Sequence, residues 1–294
     1  MQAILVVVAA ALMALLLPPL SYLSGAAVAL VTLRMGMQQG LLLILWAVLA
    51  VSLGGVLLVQ NPIAGGVFAV ALWLPVWAMA VSLRRTGRPA RSLVLATSYG
   101  LMAVLAFHLS MDEPVQWWFR LLQDGLQETL AQLAEAERQQ LLRNLQVIAG
   151  LMTGVSAAVL SATLIGCLLL GRWWQAVLFN PGGFGSEFRQ LRLGRPLTLG
   201  AVLLIGLMSL AESALLYQDM FMVLLVPFAL QGLAVVHALV KLRQAQKGWL
   251  VALYVLLFVA TGQMALVLAF VGAVDNWFDF RKFFGPKSGG ADEI

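Results

Sequence analysis

Apolar stretches recur along this chain at the length that crosses a bilayer, with only short charged or Gly- and Pro-containing breaks between them. The runs fall at 3 to 17, 20 to 33, 41 to 59, 66 to 82, 92 to 110, 146 to 170, 197 to 216, 220 to 240 and 249 to 279. A span needs about 20 predominantly apolar residues, and in hydrocarbon a helix satisfies its own backbone hydrogen bonds where an open strand cannot. The sequence therefore predicts an all-α fold, a polytopic transmembrane helical bundle of about 8 to 10 membrane segments with one extracytoplasmic amphipathic helix. Charged residues make up only 11% of 294 positions, too few to coat a soluble domain of that size. One helical membrane domain over 1–280 accounts for nearly the whole chain, and 281–294 reads as a polar tail.

Two places in this pattern have two readings. The first two runs meet at Pro18 and Pro19, where successive prolines disfavour a straight helix, so they form a shallow hairpin or one kinked span. The last run, interrupted at Thr261, Gly262 and Gln263, is long enough for one tilted helix or two short ones. The N-terminal run has the apolar length of a signal peptide without the basic side chains that precede one, and more apolar segments follow. It reads as a retained helix.

Lys and Arg resist translocation, so their clusters assign sides. Arg84, Arg85, Arg88 and Arg91 form one cluster, Arg172, Arg189, Arg192 and Arg195 a second, and Lys241, Arg243 and Lys247 a third. Even numbers of runs separate them, which places all three in the cytoplasm. Arg34 joins them if the first two runs form a hairpin, and Arg281, Lys282 and Lys287 join only if the last run turns back. The net charge of +5 is thus a property of membrane loops facing a lipid bilayer. No basic stripe interleaved with aromatics occurs on a polar segment, so no nucleic-acid partner is expected.

The segment 111–145 lies on the other side and carries more acids than bases. Asp112 can cap a helix, Pro114 suits its first turn, and Trp118, Leu122, Leu126, Leu130, Leu133, Leu141 and Leu145 recur at roughly helical spacing. With Trp117, Trp118 and Phe119 as interfacial anchors, this amphipathic helix lies on the membrane or caps the bundle.

Few residues carry candidate chemistry. Gly150, Gly154, Ala158, Ala162 and Gly166 recur every four residues and predict a close-packing ridge, within the molecule or as a dimer face. Glu212, with Ser209 and Ser213 on its helical face, is either an interfacial acid or one lining a polar cavity. Gln231 follows Pro227 by one turn, so its amide and a freed carbonyl form a polar pocket or bind helices together. His108 and His237 lack a helical partner ligand and read as structural, with no metal site. Cys167 reads as a small buried apolar side chain.

Within the cytoplasmic loop 171–196, Phe184, Glu187, Phe188, Arg189 and Arg192 make a short interfacial helix that offers arginines to headgroups or to a protein partner. The glycines there lack a P-loop's terminal Gly-Lys-Ser/Thr. No nucleophile motif or facing carboxylate pair is present, so no catalytic residue, enzyme activity or cofactor is expected.

Four segments resemble the YybS-like family of bacterial multipass membrane proteins, a family of unknown function. They are the Pro-rich break followed by Arg34-Met35-Gly36, Asn180-Pro181-Gly182-Gly183-Phe184 with Glu187-Phe188-Arg189, Gly232-Leu233-Ala234-Val235-Val236-His237, and Asp275-Asn276-Trp277-Phe278-Asp279-Phe280-Arg281. That family is distantly similar to substrate-binding S components of energy-coupling-factor transporters, which bind vitamins or metal ions and dock through small residues. Ala10 and Ala14 have the corresponding spacing.

The resemblance implies small-solute binding or transport in a bacterial inner membrane, with a polar pocket around Glu212 and Gln231. The alternative is a membrane scaffold that holds a membrane or cytoplasmic protein through the 172–195 loop.

Overall fold

The computed structural model describes residues 2–14, 18–60, 63–211 and 214–284, and every regular element among them is helical. Helices α1 (Gln2–Ala14) and α2 (Ser21–Met35) flank a single 3-10 turn at Pro18–Leu20. They form the hairpin alternative: Ser24 Oγ donates to the Val7 carbonyl at 3.1 Å and accepts from Trp73 Nε1 at 2.9 Å. Gly36, at φ 107°, then reverses the chain into α3 (Met37–Val59).

The next rod is α4 (Ala64–Phe68), a π-helical segment at Ala69–Trp73, and α5 (Leu74–Thr86). Its widened turn has a cause in the sequence. The Leu74 N–H donates to the Ala69 carbonyl, so in the same register Val70 would need the N–H of Pro75, which proline lacks. The hydroxyl of Tyr99 donates to that freed carbonyl instead, at 2.6 Å.

After α6 (Pro89–Ser110), the amphipathic segment divides into α7 (Pro114–Gly125) and α8 (Gln127–Gln132). Pro114 opens α7 as its composition predicts, whereas the N-cap is Glu113, not Asp112, and makes no side-chain cap bond. The remainder of the segment, from Glu135, belongs to α9 (Glu135–Phe179), 45 residues and roughly 67 Å long. Such a rod is longer than the ~30 Å hydrocarbon core of a bilayer.

The chain continues through α10 (Gly183–Arg189), α11 (Arg195–Leu210), α12 (Leu215–Leu242), α13 (Gly248–Val259), α14 (Thr261–Phe278) and α15 (Phe280–Phe283). The last apolar run breaks at Ala260 and turns back. Arg243 Nε donates to the Phe284 carbonyl at 2.9 Å, which brings Arg281 and Lys282 to the end that already holds the third basic cluster. Arg84 reaches the Leu33 carbonyl at 2.6 Å, and Arg34 lies 4.3 Å above the Phe179 ring. The basic clusters thus share one end of the bundle.

Helices α9 and α12 form the centre. The buried line of α9 runs through Gly154, Ala157, Ser161, Leu164, Leu168 and Gly171, at alternating steps of three and four. An every-four ridge cannot stay on that line, because each step rotates about 40° around a 3.6-residue helix. Gly150 accordingly faces open space, Ala158 and Ala162 are half-buried, and Gly166 meets Tyr22. Gly154 and Gly171 make the close approaches: added Cβ atoms would stand 2.8 Å from Asp219 Cα and 2.7 Å from the Ala26 carbonyl oxygen. Cys167 is buried against Gly25.

Among the described residues, five segments are long and apolar enough to cross a membrane: Met37–Leu57, Gly65–Thr86, Pro89–Ser110, Glu135–Phe179 and Leu215–Leu242. Shorter apolar helices occupy Ala3–Ala14, Ser21–Met35, Arg195–Leu210 and Gly248–Val259.

Candidate functional site

The two ends of the bundle each bury an acid. At the end away from the basic clusters, α6 brings His108 in its last turn to Asp219 in the second turn of α12. His108 Nε2 and Asp219 Oδ2 lie 2.8 Å apart, with 14% and 1% of their side chains exposed. The other carboxylate oxygen accepts the backbone N–H of Gly154 at 3.0 Å. A side chain at position 154 would press on that oxygen at 2.7 Å, so glycine is what lets the carboxylate reach the backbone of α9.

Helix α7 closes over this pair. Trp118 Nε1 donates to Thr153 Oγ1 at 2.9 Å, next to Gly154. The Trp117 and Trp118 rings pack edge to face at 4.8 Å, and Phe107, one residue before His108, meets Trp117 at 5.4 Å. Trp118 thereby ties α7 to α9 at this end of the bundle. Beneath it, a cavity of about 170 Å³ opens between α6 and α9, lined by Phe107, Trp118, Thr153 and Ser156 among others. The cavity itself presents an aromatic wall and the Thr153 and Ser156 side chains, and the carboxylate–imidazole pair stands beside it, next to Phe107 and Gly154.

At the basic end, Asp275 of α14 and Gln231 of α12 are both fully buried. Gln231 Nε2 donates to Asp275 Oδ2 and to Asn276 Oδ1, each at 3.1 Å, while its own carbonyl accepts the Leu193 N–H at 2.9 Å. Asn276 Nδ2 donates to Thr198 Oγ1 at 2.8 Å, and Asp275 Oδ1 accepts the Phe280 N–H at 3.1 Å. Arg281 donates to the Leu191 carbonyl at 2.8 Å and stands 3.6 Å from Asp275. Burial pushes the Arg281 guanidinium below its ordinary pKa, and Asp275 opposes that shift. These bonds tie the 190–194 loop to two helices through both ends of the Gln231 amide. Gln231 thus hydrogen-bonds across from α12 to α14.

Of the expected pocket residues, Glu212 and Ser213 lie outside the described residues. Ser209 is exposed and donates to the Gly206 carbonyl at 2.7 Å. It stands eleven residues along α11 from Thr198, which neighbours the Gln231 network, a separation of about 16 Å. Ser209 and Gln231 are not brought together.

The loop residues divide similarly. Glu187 forms a two-pronged ion pair with Arg172 through Nε at 3.0 Å and through Nη2. Phe188 stacks with Phe184 at 6.2 Å and meets the His237 ring at 5.8 Å, so α10 turns its aromatic side toward the bundle. Arg192 is paired with Asp279 and lies 3.7 Å from Asp275, while Arg189 is half-buried.

Asp219, Asp275 and His108 did not stand out in the sequence as site residues. Asp219 precedes Val223 and Pro227 by four and eight residues on the buried stripe of α12. That spacing was the available signal. Comparison with protein-family models, curated proteins and solved structures finds no match.

Proposed function

We propose that this chain is a multipass protein of a bacterial-type inner membrane, with about 8 to 10 membrane segments, that binds or transports a small solute at its extracytoplasmic end. The observation that carries the reading is the buried His108–Asp219 pair beneath the aromatic cap of α7. An ionisable side chain inside a membrane segment costs about 3 kcal/mol or more, so such groups are retained where they serve a pathway or a ligand. The resemblance to the YybS-like family and its S-component relatives supports the same class. The pocket under α7 is lined by Phe107, Trp118, Thr153 and Ser156, and the His108–Asp219 pair adjoins it through Phe107 and Gly154, while Glu212 remains a candidate from the sequence.

The scaffold alternative has less support, because Phe184 and Phe188 are turned inward and Glu187 and Arg192 are ion-paired.

Orientation is tested with topology reporters. Fusions after Arg88, Arg192 and Arg243 should report cytoplasm, and one near Glu128 the opposite side, because Lys and Arg clusters remain inside. A cytoplasmic signal at Glu128 would put the aromatic cap on the wrong side for an external solute.

Binding is tested by native mass spectrometry of protein taken from its own membranes. The unaltered chain should carry a small-molecule adduct that Asp219→Asn and His108→Gln lose by about tenfold or more, the weight of one charge-assisted contact in a dry site. Far-ultraviolet helicity should be unchanged. Full retention of the adduct in both variants would sink the proposal, as would its absence from the unaltered chain.

A further inference from the structure

Helix α13 stands off the bundle. None of its residues is buried, and a groove of about 430 Å³ separates it from the last turns of α12. Val236, Leu239 and Val240 form one wall, and Leu253 and Leu256 face them from α13. At the basic end the groove is closed by the turn between the two helices, where Arg243 and Trp249 contribute to its lining. Lys241 and Lys247 flank that turn, and both are exposed. Among the described residues none of Lys241, Arg243 and Lys247 pairs with a carboxylate.

From the end inward the groove presents the Arg243 guanidinium, bonded to a main-chain carbonyl but to no carboxylate, with Lys241 and Lys247 beside the turn, then an exposed indole, then aliphatic walls. A phospholipid presents its complement in the same order: phosphate, glycerol and carbonyl region, acyl chain. Indoles settle at headgroup depth, and basic clusters between helices on the cytoplasmic side hold anionic headgroups. A zwitterionic lipid would fill the aliphatic part equally well but would leave the cations without net countercharge. We propose that the groove between α12 and α13 is a binding site for one anionic glycerophospholipid, its phosphate against Arg243 and Lys247 and an acyl chain along Leu239 and Leu253. This site is independent of the solute reading, because it lies at the opposite end and shares no residue with it.

The test reconstitutes the full chain in nanodiscs of mixed phosphatidylglycerol and phosphatidylethanolamine, releases it into mild detergent, and measures the retained lipid by native mass spectrometry. Phosphatidylglycerol should be enriched over its bulk share in the unaltered chain. Arg243→Gln with Lys247→Gln should cut that enrichment by roughly thirtyfold, as expected for two basic side chains near a bilayer surface. Lys247→Gln alone alters no hydrogen bond among the described residues and should give an intermediate loss, so a folding defect from the Arg243 exchange would not hide the result. Leu253→Trp, which fills the groove, should lower retention of both lipids. A phosphatidylglycerol share equal to bulk in the unaltered chain, or one unmoved in both charge variants, would overturn the proposal.

Discussion

Gly232→Leu is expected to destroy the folded bundle, or to lower its thermal midpoint in detergent far more than any exchange of an open glycine. Helices α12 and α14 cross with their backbones in contact, Gly232 against the Leu268 carbonyl and Gly272 against the Phe228 carbonyl. A Cβ on Gly232 would stand 2.7 Å from the Leu268 carbonyl carbon, and one on Gly272 would stand 2.7 Å from the Gly232 nitrogen. Overpacking against side chains costs about 1–3 kcal/mol, because side chains can shift. Here the obstacle is main chain, so one helix must move as a unit and break the Gln231 bonds to Asp275 and Asn276 one turn away. Gly206→Leu is the matched control, since nothing lies within 4 Å of its added Cβ. Equal melting of the Gly232→Leu and Gly206→Leu proteins would remove the contact from the account of stability.

The contrast between these glycines shows what patterning can and cannot reveal. Run length and the order of basic clusters made the helical architecture and the common basic end legible, because both depend on composition summed over many residues. The α9 ridge was legible as small residues but not in its facing, since an every-four series and a 3.5-residue line share Gly154 and then diverge. The tight α12–α14 crossing was missed because Gly232 and Gly272 are single glycines forty positions apart, and only the fold places them together. The buried acids were not legible for a related reason. Glu212 stood out by its local surroundings, whereas the burial of Asp219 and Asp275 depends on His108, Gly154, Gln231 and Arg281, each supplied by a distant element. The turn-back at Ala260 had been left open for want of a distant tie, and the Arg243–Phe284 bond supplies it.

Asp275→Leu is expected to destabilise the protein by about 3–5 kcal/mol while leaving solute binding at the other end intact. Removing the carboxylate strands Arg281, whose side chain is only 13% exposed, and deprives Gln231 Nε2 and the Phe280 N–H of an acceptor. A buried charge left without its partner costs more than the pair contributed, because its desolvation is no longer offset. Asp275→Asn should cost less, since an amide oxygen can still accept from Phe280, but its nitrogen would face the donors of Gln231 and Arg281. Gln231→Leu should fall between, having left the Leu193 N–H unsatisfied at about 1–3 kcal/mol. It is therefore a stability variant and a poor probe of solute recognition, contrary to what its position in an apolar run suggests. The discriminating variant is the double exchange Asp275→Leu with Arg281→Leu. If the single loss reflects a stranded cation, removing both charges should recover more than half of it, as apolar replacement of a whole buried pair does elsewhere. Thermal unfolding in detergent gives the stabilities, and the native mass spectrum of each variant reports the solute. Additive losses in the double variant would show that Asp275 and Arg281 act independently, and loss of the solute adduct with Asp275→Leu at full helicity would move the binding site to the basic end.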